Sequence, residues 1–258
     1  MTPRQSGSQT IVTFDAHPRS SLIVALDFDS LSSAIKFAKS VADLVGMFKI
    51  GNQLFMAAGP AAVREVASLG PGIFLDLKFH DIPNTVAGAV LSSAAMTGVQ
   101  LVNVHALGGS AMMKAAVQAI SAGVPMGSDR PRLLAVTILT SMDNKAMREA
   151  GIGGPPKGRA VKLAQLAKKA GVDGVVASVQ EARAIRKACG REFLIVTPGV
   201  RSKDKTENLK EDDQARTATP AEAIRAGADF LVVGRPILTA ADPRVATQAI
   251  VDEIAAAK

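Results

Sequence analysis

Short aliphatic runs alternate with alanine-rich amphipathic segments eight times along this chain. The runs are Leu22–Asp27, Val45–Ile50, Ile73–Lys78, Leu101–His105, Leu133–Leu139, Asp173–Ala177, Phe193–Thr197 and Asp229–Gly234, each of strand length and rich in Val, Ile, Leu or Phe. Strands that are almost continuously apolar are buried on both faces, which calls for parallel pairing under a cover of helices. Between them, Lys157–Ala170 places Val161, Leu163, Leu166, Ala167 and Ala170 on one stripe and leaves Lys162, Lys168 and Lys169 to solvent. Ala170-Gly171-Val172-Asp173 and Ala226-Gly227-Ala228-Asp229 repeat one junction, a glycine where a helix stops and a strand begins. Thr219-Pro220-Ala221-Glu222 reads as a capping box with proline at the first helical position. Eight such units predict an α/β fold, a single closed (β/α)8 TIM barrel.

The length agrees, because a barrel of this class uses roughly 250 residues as one domain. Residues 21–258 are assigned to the barrel and residues 1–20 to a loose N-terminal tail. That tail has only the short Ile11–Phe14 apolar patch, so it is not a signal peptide, and His17 within it is given no role. No run reaches the roughly 18 apolar residues of a membrane span. The single cysteine, Cys189, rules out a disulfide framework and fits a reducing compartment, so a cytoplasmic protein without a membrane partner is expected. A net charge of +7 favours anionic ligands. The chain has no Tyr or Trp on which bases could stack, and its cations are interspersed with acids, as in Lys203-Asp204-Lys205-Thr206-Glu207. Small anions are therefore expected, and nucleic acid is not.

In a barrel of this kind the chemistry lies at the C-terminal ends of the strands. Asp27, Lys49, Asp76, Lys78, Asn103, His105 and Thr140 all fall there. Residues two apart on a strand share a face, so Asp76 and Lys78 project together with Cα atoms about 6.5 Å apart. With Asp81 on the following loop, and Asp27 and Lys49 on adjoining strands, they form an alternating array of charges. Buried charges are costly unless paired, so such an array needs a reason. One reason is an ion-pair network that closes the barrel top. The other is chemistry: an ammonium held among carboxylates keeps its proton and can stabilise, then protonate, a carbanion. Decarboxylation has that demand, whereas a Schiff-base lysine must be deprotonated.

A second group suits phosphate, which barrels often hold in the loops after strands 7 and 8. Gly199 and Arg201 follow strand 7, and Gly234 and Arg235 close strand 8. The segment from Gly199 to Thr217 is about 19 residues long, the length of a functional lid, with Gln214 and Arg216 near its far end. Asn103 and His105 are expected to pair with backbone and with the aspartates. No metal is expected, because the Lys78 ammonium would repel a cation among His80, His105, Asp76 and Asp81. Neither a P-loop nor a dinucleotide fingerprint is present, since Gly151–Gly158 lacks the required order.

At these residues the chain resembles the orotidine 5′-phosphate decarboxylase family, from about Leu22 to the last helix. The most specific stretch is Asp76-Leu77-Lys78-Phe79-His80-Asp81-Ile82-Pro83-Asn84-Thr85, which looks like the family's Asp-x-Lys-x-x-Asp motif and its extension. Val24–Asp27, Phe48–Gly51, Val102–His105, Leu139–Ser141, Thr197–Arg201, Asp213-Gln214 and Gly234–Pro236 match further signatures in the same order. The resemblance implies that Lys78, Asp76 and Asp81 are catalytic and that no cofactor is used. It implies that Asp27, Lys49, Asp76, Ile82, Thr85, Thr140, Arg201, Gln214, Gly234 and Arg235 bind the nucleotide, Asp27 and Lys49 at the ribose hydroxyls. It also implies a homodimer in which Asp81 enters the partner's site. Leu107 departs from the family's usual small polar residue. Two alternatives stand beside this reading: a Mg²⁺-dependent phosphosugar enzyme of the same suprafamily, and a non-catalytic barrel that binds small anions. Lys49 opposes the first, because those relatives carry a carboxylate metal ligand on strand 2.

Overall fold

The computed structural model describes residues 17–123, 129–201 and 218–258. All eight expected strands form: β1 (Leu22–Ala25), β2 (Met47–Gly51), β3 (Gly72–Phe79), β4 (Val99–His105), β5 (Arg132–Val136), β6 (Gly174–Val176), β7 (Leu194–Pro198) and β8 (Phe230–Val233). Each pairs in parallel with its neighbours in sequence, and β8 pairs with β1, so the sheet closes into a barrel. Helix α1 (Leu31–Val41) follows β1, while α2 (Asn52–Ala58) and α3 (Pro60–Ala67) follow β2. Helices α4 (Pro83–Ala94) and α5 (Gly109–Gly123) follow β3 and β4, and α6 (Asn144–Glu149) and α7 (Pro156–Ala170) follow β5. Helices α8 (Val179–Cys189) and α9 (Pro220–Arg225) follow β6 and β7, and α10 (Arg235–Leu238) and α11 (Pro243–Ala255) follow β8.

Strand parity sorts the apolar residues into layers. Along β1, Ile23 and Ala25 face the barrel interior with Met47, Phe74, Leu101, Leu134, Val196 and Phe230, whereas Leu22 and Val24 face the helices. The expected stripe of α7 is buried at Leu163, Ala167 and Ala170, joined by Ala160 and Ala164, while Val161 and Leu166 are half-buried. Thr219 and Glu222 make the expected capping box at α9, and Ser178 and Glu181 make another at α8. The segment read as a loose tail is ordered at its end. Pro18–Ser21 form a short 3-10 turn, and His17, given no role above, accepts a hydrogen bond from the Arg19 N–H at 3.2 Å. Residues 1–16 lie outside the described residues.

The two matching junctions do the same work at the base of the barrel. Gly171 and Gly227 take left-handed φ values of 91° and 99°, which ends each helix and turns the chain into the next strand. The aspartate that follows then ties down the adjoining strand. Asp173 accepts from the Leu133 N–H at 2.7 Å and pairs through both oxygens with Arg130, and Asp229 accepts from the Ile195 N–H at 2.7 Å and pairs with Arg186. Because the Asp173 side chain is only 8% exposed, Asp173→Ala leaves the Arg130 charge and a strand N–H without their partner. We expect a loss of about 3 kcal/mol of stability, measured by urea unfolding. A loss below about 0.5 kcal/mol, the range of an exposed ion pair, would show that this latch does not hold the barrel base.

Candidate active site

A cavity of about 350 Å³ opens at the C-terminal ends of the strands. Its polar lining includes Asp27, Lys49, Asp76, Lys78, Thr140 and Ser141, together with Gly199, Arg201, Gly234 and Arg235 at the ends of β7 and β8. The charges alternate as the sequence predicts: Lys49 Nζ lies 3.2 Å from Asp27 Oδ1 and 3.5 Å from Asp76 Oδ2, and Lys78 Nζ lies 2.7 Å from Asp76 Oδ1. Gly51 keeps this network open, since a Cβ there would sit 2.9 Å from Lys49 Nζ. Burial by itself would raise the Asp76 carboxyl, but Lys49, Lys78 and the Asn103 amide outweigh it and hold the group below its ordinary value. Asp76 is therefore an anion at neutral pH.

Simple strand alternation does not account for how Asp76 and Lys78 come together. Leu75 pairs with Val102 and Phe79 with Val104, so Asp76, Leu77 and Lys78 stand opposite the single residue Asn103. This three-against-one insertion is a special β-bulge, a device that re-aims side chains beside active sites. Lys78 has φ +52°, the only positive φ outside glycine among the described residues, a conformation that costs on the order of 1–3 kcal/mol unless its surroundings hold it. Asn103 supplies part of that hold: its Oδ1 accepts the Lys78 N–H at 2.8 Å and its Nδ2 donates to Asp76 Oδ1 at 2.6 Å. Asn103 thus meets the expectation of pairing with backbone and aspartate. His105 does not pair with an aspartate. Its ring stacks on His80 with centroids 5.3 Å apart, and its Nδ1 accepts the Leu107 N–H at 3.3 Å.

At the ends of β7 and β8, burial and the Arg235 charge both lower the Arg201 pKa. Both guanidiniums line the cavity, and their like charges favour an anion there. The Val200–Ala218 bridge and the Arg201 N–H to Ala218 carbonyl bond at 2.9 Å join the chain on the two sides of residues 202–217. Gln214 and Arg216, with most of the segment expected to form a lid, lie outside the described residues.

Three residues from the predicted set stand apart from the cavity. Asp81 is exposed and accepts the Ile82 N–H at 2.6 Å, Ile82 is 67% exposed, and Thr85 is exposed in the first turn of α4. Among the described residues, no three His, Cys, Asp or Glu side chains gather as metal ligands. No helix among those residues is long and apolar enough to cross a membrane. The apolar lining of Phe74, Ile138, Val176, Ala177 and Val232 was not singled out in the sequence. Inward parity at the strand ends was the signal that could have found Phe74, Val176 and Val232.

A family model described as "Orotidine 5'-phosphate decarboxylase / HUMPS family" matches residues 20–250. A Geotalea uraniireducens protein named orotidine 5′-phosphate decarboxylase is 53% identical over 238 residues, covering 92% of this chain and 96% of its own. One of the same name from Geobacter sulfurreducens is 52% identical, covering 92% and 97%. A crystal structure of orotidine 5′-phosphate decarboxylase from Lactobacillus acidophilus superposes with a TM-score of 0.77 at 39% identity, covering 90% of this chain and 98% of that one. With the barrel, the charged mouth and these matches in agreement, the chain belongs to the orotidine 5′-phosphate decarboxylase / HUMPS family.

Proposed function

We propose that this protein decarboxylates orotidine 5′-monophosphate to uridine 5′-monophosphate and carbon dioxide, a step of pyrimidine biosynthesis, without a metal or organic cofactor. The alternating Asp27–Lys49–Asp76–Lys78 array carries this reading. The bond from C6 to the carboxylate breaks, its electron pair stays on C6, and carbon dioxide leaves. The Lys78 ammonium stabilises that negative charge and transfers one proton to C6. The Asp76 anion lies 2.7 Å from the ammonium and fixes its position. Asp27 and Lys49 bind the ribose hydroxyls and Thr140 touches the pyrimidine. Arg201, Gln214, Gly234 and Arg235 hold the ring and the 5′-phosphate, a role supported by the Arg201 and Arg235 cations that line the cavity.

Asp81, Ile82 and Thr85 are assigned to the partner's site in a homodimer. Their exposure outside the cavity of their own chain supports this, as does Leu107, 41% exposed beside the His80–His105 stack. A small anionic nucleotide is the ligand, with neither nucleic acid nor membrane as a partner. The lone cysteine, buried and unpaired, fits a cytoplasmic enzyme.

The test is decarboxylation of orotidine 5′-monophosphate in excess EDTA. Activity is expected, and its absence there together with Mg²⁺-dependent turnover of a phosphosugar would favour the metal-dependent phosphosugar relatives. Arg235→Ala should lower kcat/KM by about 100-fold to 1,000-fold, because phosphate binding energy helps close the site around the reacting ring. If the loss were no larger for the nucleotide than for orotidine itself, Arg235 would not be the phosphate ligand.

A further inference from the structure

The inward face of β4 carries Leu101, Asn103 and His105 in succession; Asn103 meets the bulge of β3, and His105 meets His80, the residue that follows the strand. Asn103 holds the bulge from within, through the Lys78 N–H and the Asp76 carboxylate. Two residues beyond Lys78, the His80 ring lies on the His105 ring at an interplanar angle of 17°. Lys78 is thereby fixed from both sides in a backbone conformation that is unfavourable on its own. We propose that His105 is a positioning residue for the reaction: by stacking on His80 it holds the turn from Lys78 to Asp81 and so aims the Lys78 ammonium. The inference rests on the decarboxylase reading given above.

Several features suit His105 to this role. Its Nδ1 accepts the Leu107 N–H, which fixes the ring plane and requires that nitrogen to be unprotonated. Burial, followed by the His80 and Lys78 charges, lowers its pKa to about 4, so the ring stays neutral beside an ammonium. A Cβ on Gly108 would approach His80 Cδ2 to 3.2 Å, so the backbone that follows His105 lies close to the His80 ring, which is otherwise exposed. A neutral aromatic ring can stack there without adding another cation near Lys78.

The position is tested with His105→Ala, His105→Phe, His80→Ala and the His80→Ala/His105→Ala double variant. Turnover is measured per titrated active site, with melting temperature recorded alongside. His105→Ala should lower kcat by about tenfold to 100-fold, the cost of a misaligned catalytic group, while KM changes little because the phosphate rim is untouched. His105→Phe restores an aromatic ring but not the Nδ1 acceptor, and should return kcat to within about threefold of wild type. The double variant should be no worse than either single one, since both remove the same stack. The proposal is overturned if His105→Ala keeps kcat within about twofold of wild type. It is also overturned if phenylalanine rescues the melting temperature but not turnover, or if the two alanine effects multiply. A wild-type protein inactive on the nucleotide would instead refute the decarboxylase reading, which the variants do not address.

Discussion

Lys78→Ala will leave a folded protein whose decarboxylation of orotidine 5′-monophosphate is about 1,000-fold or more below wild type. The fold survives because the Lys78 side chain is 34% exposed at the cavity and packs no part of the core. Asp76 also keeps Lys49 at 3.5 Å and the Asn103 amide at 2.6 Å, so its carboxylate is not left without partners. What disappears is a positive charge at the position where C6 becomes negative, together with the proton that C6 must receive. Both losses fall on the transition state, so kcat should drop far more than nucleotide binding weakens. Retention of more than about a hundredth of wild-type turnover, in a sample shown to be free of wild-type enzyme, would remove Lys78 from the general-acid role.

Mixing two inactive variants, Lys78→Ala and Asp81→Ala, under conditions that exchange subunits should restore activity. In a twofold dimer with composite sites, a mixed dimer has one site carrying both lesions and one carrying neither. Random reassortment of equal amounts makes half the dimers mixed, so activity should approach about a quarter of wild type. The geometry behind this is the separation of Asp81 from the cavity of its own chain. Its carboxylate is exposed and accepts only the Ile82 N–H among the bonds described. If mass measurement confirms exchange and the mixture stays as inactive as its parents, Asp81 acts within its own subunit and the composite site is wrong.

The barrel could be read from the chain because its signals are local. Each strand was found from a run of aliphatic residues, and the Thr219 capping box and the Gly171 and Gly227 helix stops came from side-chain chemistry within a few residues. Boundaries moved where pairing decided them. The run expected to extend to Leu139 leaves the strand after Val136, and Ile138, Leu139 and Thr140 turn into the cavity wall. The charged array was legible for the same reason as the strands: Asp27, Lys49, Asp76 and Lys78 lie within or just past the C-terminal halves of β1, β2 and β3, and barrel closure brings those ends to one mouth.

How those charges are held was not legible. Alternation predicted that Asp76 and Lys78 share a face, yet the structure delivers them through a bulge with Lys78 at φ +52°, opposite Asn103. That conformation has no local cause in Leu77-Lys78-Phe79. It depends on an amide 25 residues away in sequence that accepts the Lys78 N–H. The same holds for His105, expected beside an aspartate and found on the His80 ring. A sequence fixes its own periodicities, caps and strand-end residues, because those depend on neighbours along the chain. Register between strands, the strain a neighbour can support and the partner of a ring depend on atoms brought together only by closing the barrel, so the tertiary structure alone decided them.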